Sequence, residues 1–151
     1  MINIKNEDFS TKINLGKLKA DTHIILGVLN YADFDIGILL TTKTHMHQYN
    51  NEYRGKDKAT DVLSFPYHTI KAGERIEAKN PEDKNLGDII LCPEYIKENL
   101  AQWDQTFEER LQVLLVHAIC HLLGYDHETD EEYKVMKEQE DLLLSKLAKK
   151  E

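Results

Sequence analysis

The stretch His117-Ala-Ile-Cys-His121-Leu-Leu-Gly124-Tyr-Asp-His127 contains three of the seven histidines of the chain. On a helix of about 3.6 residues per turn, His117 and His121 lie on one face, about 40° apart. Gly124 can adopt a positive φ, which allows the helix to end and the chain to turn back. This spacing predicts that His127 joins the other two rings around one metal ion.

The residues from Val113 to Leu123 are apolar on all sides of a helix apart from the two histidines, which predicts a buried helix. Burial favours a neutral imidazole, and the neutral form is the one that binds a metal. A hydrogen-bonded core histidine is the alternative, but it explains one such residue better than three at this spacing. Three histidines with an open fourth position are typical of a catalytic zinc site.

The same spacing occurs in the metzincin proteases, whose motif is H-E-x-x-H-x-x-G-x-x-H. Ala118 stands where those proteases carry their general-base glutamate. The pattern therefore predicts a metal site without the proteolytic base, although a metal-dependent peptidase remains an alternative. Asp126 precedes the third histidine, and we leave open whether it orients a ligand or faces solvent.

The composition is that of an ordinary globular protein, with 41% hydrophobic and 30% charged residues among 151. This length predicts a single domain over residues 1–151. No apolar run is long enough to span a membrane, and residues 1–8 lack a signal-peptide pattern. Cys92 and Cys120 lie in apolar surroundings and are expected to be buried thiols, which suits a cytoplasmic protein.

The hydrophobic periodicity predicts an α+β fold with a small mixed sheet of about four strands and four or five helices, the histidine helix packed beneath the sheet. Strands are predicted at 2–4, 35–42, 62–65 and 86–92, and helices at 16–32, 43–53, 93–103, 106–124 and from 129 onward. Capping boxes at Thr106 and Thr129 open the last two helices. The final helix is expected to place Tyr133, Met136, Leu143 and Leu147 on one side. Residues 67–85 form a long connection, and such loops are usually functional or mobile.

Arg54, Lys56 and Lys58 form a basic cluster next to a predicted strand. The residues alone favour a solvated loop. The net charge of −8 repels phosphate at long range, so any RNA contact needs a local basic patch or another protein.

Three separated motifs together resemble the YbeY family over nearly the whole chain. They are His117-x3-His121-Leu-Leu-Gly-Tyr-Asp-His127, Asn50-x-x-Tyr53-Arg54-x-Lys56-x-x-Ala-Thr-Asp61-Val-Leu-Ser-Phe-Pro66, and Leu86-Gly-Asp-Ile89. The chain departs from the family pattern at Ala118, usually glycine, and at Cys120, usually leucine. Both departures are small and apolar, and they affect helix packing rather than a ligand.

The resemblance implies a zincin-like fold and a bacterial zinc-dependent endoribonuclease that acts in ribosomal RNA maturation and ribosome quality control. It implies that His117, His121 and His127 bind one Zn²⁺ ion and that Arg54 lies in the active-site cleft. It further implies single-stranded ribosomal RNA as substrate and the ribosome or its proteins as partners, with no DNA and no membrane expected. Besides the peptidase, a non-enzymatic ribosome assembly factor with a structural zinc remains an alternative.

Overall fold

A computed structural model describes residues 1–150 of the chain. Its strands are β1 (Ile2–Asn6), β2 (Asp35–Leu40), β3 (Val62–Pro66) and β4 (Asn85–Leu91). Its α-helices are α1 (Leu15–Val28), α2 (Lys43–Arg54), α3 (Pro93–Glu98), α4 (Phe107–Leu122) and α5 (Asp130–Lys150). Short 3₁₀ turns lie at Pro81–Asp83 and Leu100–Gln102. None of the helices described has the length and apolarity required to span a bilayer.

The four strands form one mixed sheet in the order β1-β2-β4-β3, which confirms the predicted α+β class. Strands β1, β2 and β4 run parallel, and β3 runs antiparallel to β4. Strand β3 is therefore an edge strand, paired on one side only. Its pairing with β4 sets Leu63 opposite Ile90 and Phe65 opposite Asp88.

The main core lies between one face of the sheet and helices α1, α4 and α5. Alternate residues of β2 point into it, namely Ile36, Ile38 and Leu40, because side chains alternate across a strand. Helix α4 contacts β3, β4, α1, α3 and α5, so it occupies the centre of this layer. The histidine helix therefore lies beneath the sheet, as its apolar sequence predicted.

A smaller core covers the opposite face of the sheet near β3 and β4. Met46 of α2 is fully buried there against Leu63, Ile90 and Cys92. Helix α2 begins at its N-cap Thr42, whose side chain accepts a hydrogen bond from the N–H of His45. The packing of α2 on this face brings the C-terminal end of the helix toward β3.

The long connection predicted over residues 67–85 is present, and it is tied to the core where Ile76 is buried and its N–H donates to the Tyr31 hydroxyl at 3.0 Å. One expectation differs from the structure. Tyr133 does not join the buried side of α5: its side chain is exposed, whereas Met136, Leu143 and Leu147 are buried. Tyr133 lies in the first turn of α5, where the helix has not yet reached the core.

Candidate metal centre and cleft

Helix α4 brings the half-buried side chains of His117 and His121 together on one face. The capping box predicted at Thr106 is present, with reciprocal bonds between Thr106 and Glu109, and it fixes where the helix begins. His121 lies four residues, or about one helical turn, after His117, and the two ring centroids are 4.5 Å apart. The predicted common face is therefore confirmed.

The chain reverses at Gly124 through two hydrogen bonds of a Schellman motif. The N–H of Gly124 bonds to the carbonyl of His121, and that of Tyr125 bonds to the carbonyl of Cys120. Gly124 has φ of +90°, and a Cβ atom there would lie 2.2 Å from the carbonyl oxygen of Ile70. Only glycine satisfies both the conformation and the close approach.

This reversal returns His127 to the first two rings. Its ring centroid lies 5.5 Å from that of His117 and 5.2 Å from that of His121. Each of the three residues offers one ligand atom, and these atoms lie within 4.8 Å of one another. Asp126 accepts a hydrogen bond from the backbone N–H of His127 at 2.8 Å, so it fixes the turn that carries the third ring.

The nitrogen atoms of the cluster have the donor chemistry that a metal requires. Nδ1 of His117 contacts a Glu140 carboxylate oxygen at 2.7 Å, and Nδ1 of His121 contacts the Tyr125 carbonyl oxygen at 2.8 Å. Both partners accept, so in the neutral rings Nδ1 carries the proton and Nε2 carries the lone pair. The two Nε2 atoms lie 3.1 Å apart, an arrangement in which two lone pairs repel unless a cation lies between them.

The pKa of His121 favours metal binding. Burial lowers the pKa of His121 below its usual value, and the neighbouring rings of His117 and His127 lower it further. The ring is therefore neutral near pH 7, and neutral imidazole is the ligand form. Among residues 1–150, the cluster that could hold a metal consists of these three histidines and no fourth residue.

The cluster lies in a cleft of about 700 Å³, between the turn after α4 and strand β3. Arg54 lines the same cleft, as expected, although 63 positions separate it from His117 in the sequence. It is the last residue of α2, which ends because Gly55 adopts φ of +67°. Within the part of the chain that the structure describes, Arg54 is the one lysine or arginine that lines this cleft, whereas Lys56 and Lys58 do not line it.

A buried amide supports Arg54 and was given no role from the sequence. Asn50 is 1% exposed, and its Nδ2 donates to the Lys58 carbonyl at 2.8 Å. Its Oδ1 accepts a longer hydrogen bond, 3.4 Å, from Nη1 of Arg54. One side chain thereby fixes the loop after α2 and orients the guanidinium. Asn50 opens the second family motif, and that membership was the available signal, although it did not indicate a role.

Glu140 is the other site residue that the sequence did not reveal. It lies on α5, four residues after Met136 and three before Leu143, and so falls within the apolar stripe of the helix. An acidic residue in such a stripe is unusual and needs a partner. The glutamate within the apolar stripe was therefore the sequence signal for a buried partner, and that partner is His117.

Strand β3 adds free backbone groups to the cleft. The N–H of Cys92 donates to the carbonyl of Asp61, and the N–H of Tyr67 donates to the carbonyl of Leu86. The backbone groups of the odd-numbered residues of β3 are therefore the ones that form hydrogen bonds with β4. In an antiparallel pair the intervening residues direct their N–H and C=O groups away from the partner strand. Val62 and Ser64, which both line the cleft, therefore present these groups at the open edge.

A mixed four-stranded sheet over a central helix, with three histidines converging in a cleft, defines a class of proteins that can hold a metal ion. The sequence profile described as Endoribonuclease YbeY matches residues 3–148. The chain belongs to this family.

Individual relatives agree with that assignment over most of their length. The human Endoribonuclease YbeY is 34% identical over 148 residues, covering 97% of this chain and 88% of the relative. The protein of the same name from Sulfurihydrogenibium sp. is 42% identical over 146 residues, covering 95% and 90%. The solution structure of a Thermotoga maritima protein superposes with a TM-score of 0.66 at 30% identity, covering 97% of this chain and 89% of that chain.

Proposed function

We propose that this chain is a zinc-dependent endoribonuclease that cuts single-stranded RNA during ribosomal RNA maturation and ribosome quality control. The observation that carries the proposal is the convergence of His117, His121 and His127 in a cleft that Arg54 also lines. Membership in a family described as endoribonucleases supports the reaction. Residues 1–151 then act as one metal-dependent hydrolase domain.

The three histidines would hold one Zn²⁺ ion through their free nitrogen atoms. Nitrogen ligands suit zinc, and two nitrogens bound to a tetrahedral zinc ion lie about 3.3 Å apart, close to the 3.1 Å between Nε2 of His117 and Nε2 of His121. When bound, the ion supplies a Lewis acid that polarises a phosphoryl oxygen and makes a water molecule more acidic. Glu140 keeps the proton on Nδ1 of His117, so that Nε2 stays available.

Arg54 is the residue that would hold the phosphodiester. Cleavage increases the negative charge on the phosphoryl oxygens, and a guanidinium can donate to two of them at once. Asn50 orients the guanidinium before the substrate arrives, which lowers the cost of positioning it. The open backbone groups of Val62 and Ser64 can bind the strand beside the reacting phosphate.

The site supports a nuclease better than the two alternatives. Ala118 is fully buried and provides no carboxylate at the position of the metzincin base. A structural zinc is usually enclosed by four protein ligands, but among the described residues the cluster contains three. Both observations favour a hydrolytic site that is open to a phosphodiester.

The charge of the protein suggests how it meets RNA. A net charge of −8 gives no long-range attraction for phosphate, so we propose that the ribosome or a ribosomal protein directs the enzyme to its substrate. We also propose a cytoplasmic location, because both cysteines, Cys92 and Cys120, are buried and unpaired, as suits a reducing compartment.

The decisive experiment measures cleavage and metal content on the same sample. Purified protein is incubated with single-stranded and duplex RNA, with and without a chelator, and zinc is measured by elemental analysis. We expect cleavage of the single strand, loss of cleavage with the chelator, and recovery on adding zinc. Undiminished cleavage in a sample stripped of metal would overturn the proposal.

A further inference from the structure

An exposed tyrosine stands in the cleft next to Arg54. Tyr53 precedes Arg54 at the end of α2, lines the same cleft as the histidines, and is 59% exposed. Its ring meets Phe65 edge-on, with centroids 5.1 Å apart, and is stacked with Tyr49 at 6.5 Å. The ring is thus held by two aromatic neighbours while much of its surface remains open.

Other exposed aromatic side chains lack this combination. The indole of Trp103 is covered by the guanidinium of Arg110, whose Cζ lies 3.6 Å from the ring centroid. Tyr133 is 57% exposed on α5 and does not line the cleft. Single exposed apolar side chains are common on protein surfaces and need no explanation. Tyr53 differs because it is supported, lines the cleft and adjoins the residue that would hold the phosphate.

The charges around the cleft indicate how the ring of Tyr53 could add to the affinity for RNA. Three carboxylates line the cleft, those of Asp61, Asp126 and Glu128, against the single guanidinium of Arg54 among the residues described. Asp61 is paired with Arg110 at 3.8 Å, which leaves Asp126 and Glu128 as the carboxylates that face Arg54. Apart from the metal ion, the cleft therefore adds little attraction for the phosphates on either side of the reacting one, although phosphate contacts normally dominate the binding of nucleic acids. Stacking of a base on an aromatic ring does not depend on net charge, and it tolerates any base.

We propose that Tyr53 is a nucleobase subsite, on which the base adjoining the phosphate held by Arg54 stacks. This inference rests on the proposed RNA substrate. A base can reach the ring only if it is unpaired, because a duplex keeps its bases stacked inside the helix. The subsite therefore selects single strands without reading their sequence, and it compensates for the acidic surroundings.

The first test measures binding of a short, fluorescently labelled single-stranded RNA to the zinc-loaded protein by anisotropy, with phosphorothioate linkages and 2′-O-methyl groups in the RNA so that it resists cleavage. Tyr53→Ala is expected to weaken binding about five- to hundredfold, and Tyr53→Phe to retain it. Tyr53→Leu fills the apolar space beside Phe65 but offers no aromatic face, so it should weaken binding as the alanine variant does. Tyr133→Ala, which removes an equally exposed tyrosine outside the cleft, should bind normally.

The second test locates the base by replacing one nucleotide at a time with an abasic residue. The wild-type protein should lose affinity at one position, and Tyr53→Ala should show no further loss there, since the partner ring is already absent. Wild-type affinity in both Tyr53→Ala and Tyr53→Leu, or equal abasic losses with and without the ring, would overturn the subsite and leave the nuclease proposal standing. If the wild-type protein cleaves single-stranded RNA but shows no affinity that depends on Tyr53, the subsite alone fails, whereas a zinc-loaded protein that neither binds nor cleaves single-stranded RNA would overturn both proposals.

Discussion

A carboxylate oxygen of Glu140 lies 2.7 Å from Nδ1 of His117, although 23 positions separate the two residues. The contact joins the last helix to the histidine helix, and both side chains are largely enclosed. A carboxylate that accepts from the far nitrogen of a histidine fixes the orientation of the ring and makes the other nitrogen a better ligand. The metal centre therefore depends on α5 as well as on the three-histidine motif.

We expect Glu140→Ala to weaken zinc affinity about 10- to 100-fold, because His117 loses the group that orients it. Glu140→Gln should have a smaller effect, since an amide oxygen still accepts from Nδ1 but carries no charge. Competition with a chromophoric chelator measures the affinities. Glu138→Ala, on the exposed side of the same helix, serves as the matched control. Equal zinc affinity in the wild type and Glu140→Ala would show that the carboxylate does not act on the metal centre.

His121→Ala should purify without stoichiometric zinc, because two of the three ligands cannot hold the ion firmly. Elemental analysis of the purified variant checks this. His45→Ala is the control, since His45 lies on α2 outside the cluster and should leave the zinc content unchanged. One zinc ion per chain in His121→Ala would remove His121 from the ligand set.

Arg54→Ala should keep its zinc but cleave single-stranded RNA at least about tenfold more slowly, since a clamp on the phosphoryl oxygens acts in the transition state. Arg54→Lys should recover only part of the rate, because an ammonium group cannot donate in the same two-pronged geometry. Cleavage rates are compared at equal zinc content. The control is Lys56→Ala, a basic residue two positions on that does not line the cleft. An unchanged rate in Arg54→Ala would contradict the role of the guanidinium.

Gly124→Ala should reduce the free energy of unfolding by about 2 kcal/mol or more, because alanine disfavours a positive φ and its Cβ would collide with the Ile70 carbonyl. Chemical denaturation measures the change. Gly27→Ala is a useful contrast, since a Cβ there meets no atom within 4 Å and the residue lies in α1. We expect that variant to be as stable as the wild type or more stable by up to about 1 kcal/mol. Similar unfolding curves for both variants would contradict the argument.

The two cysteines should resist alkylation in the native protein. Burial raises the pKa of the Cys120 thiol to about 12 and that of Cys92 to about 11, so the reactive thiolate is scarce at pH 8. Mass spectrometry after iodoacetamide treatment should find neither thiol modified in native protein and both modified in denaturant. Rapid labelling of Cys120 in folded protein would place that residue outside the core.

Several features followed directly from the sequence because they depend on repeating local geometry. Helical spacing set His117 and His121 on one face, and the glycine at 124 ended the helix where a positive φ was needed. The cap at Thr106 depends on residues three apart.

The remaining site residues were fixed only by tertiary packing. Arg54 reaches the cleft because α2 packs across one face of the sheet, while the histidine helix packs on the other. Glu140 meets His117 because α5 packs against α4. A helical or strand period determines which side chains share a face within one element, whereas the meeting of side chains from distant elements depends on how the whole core closes.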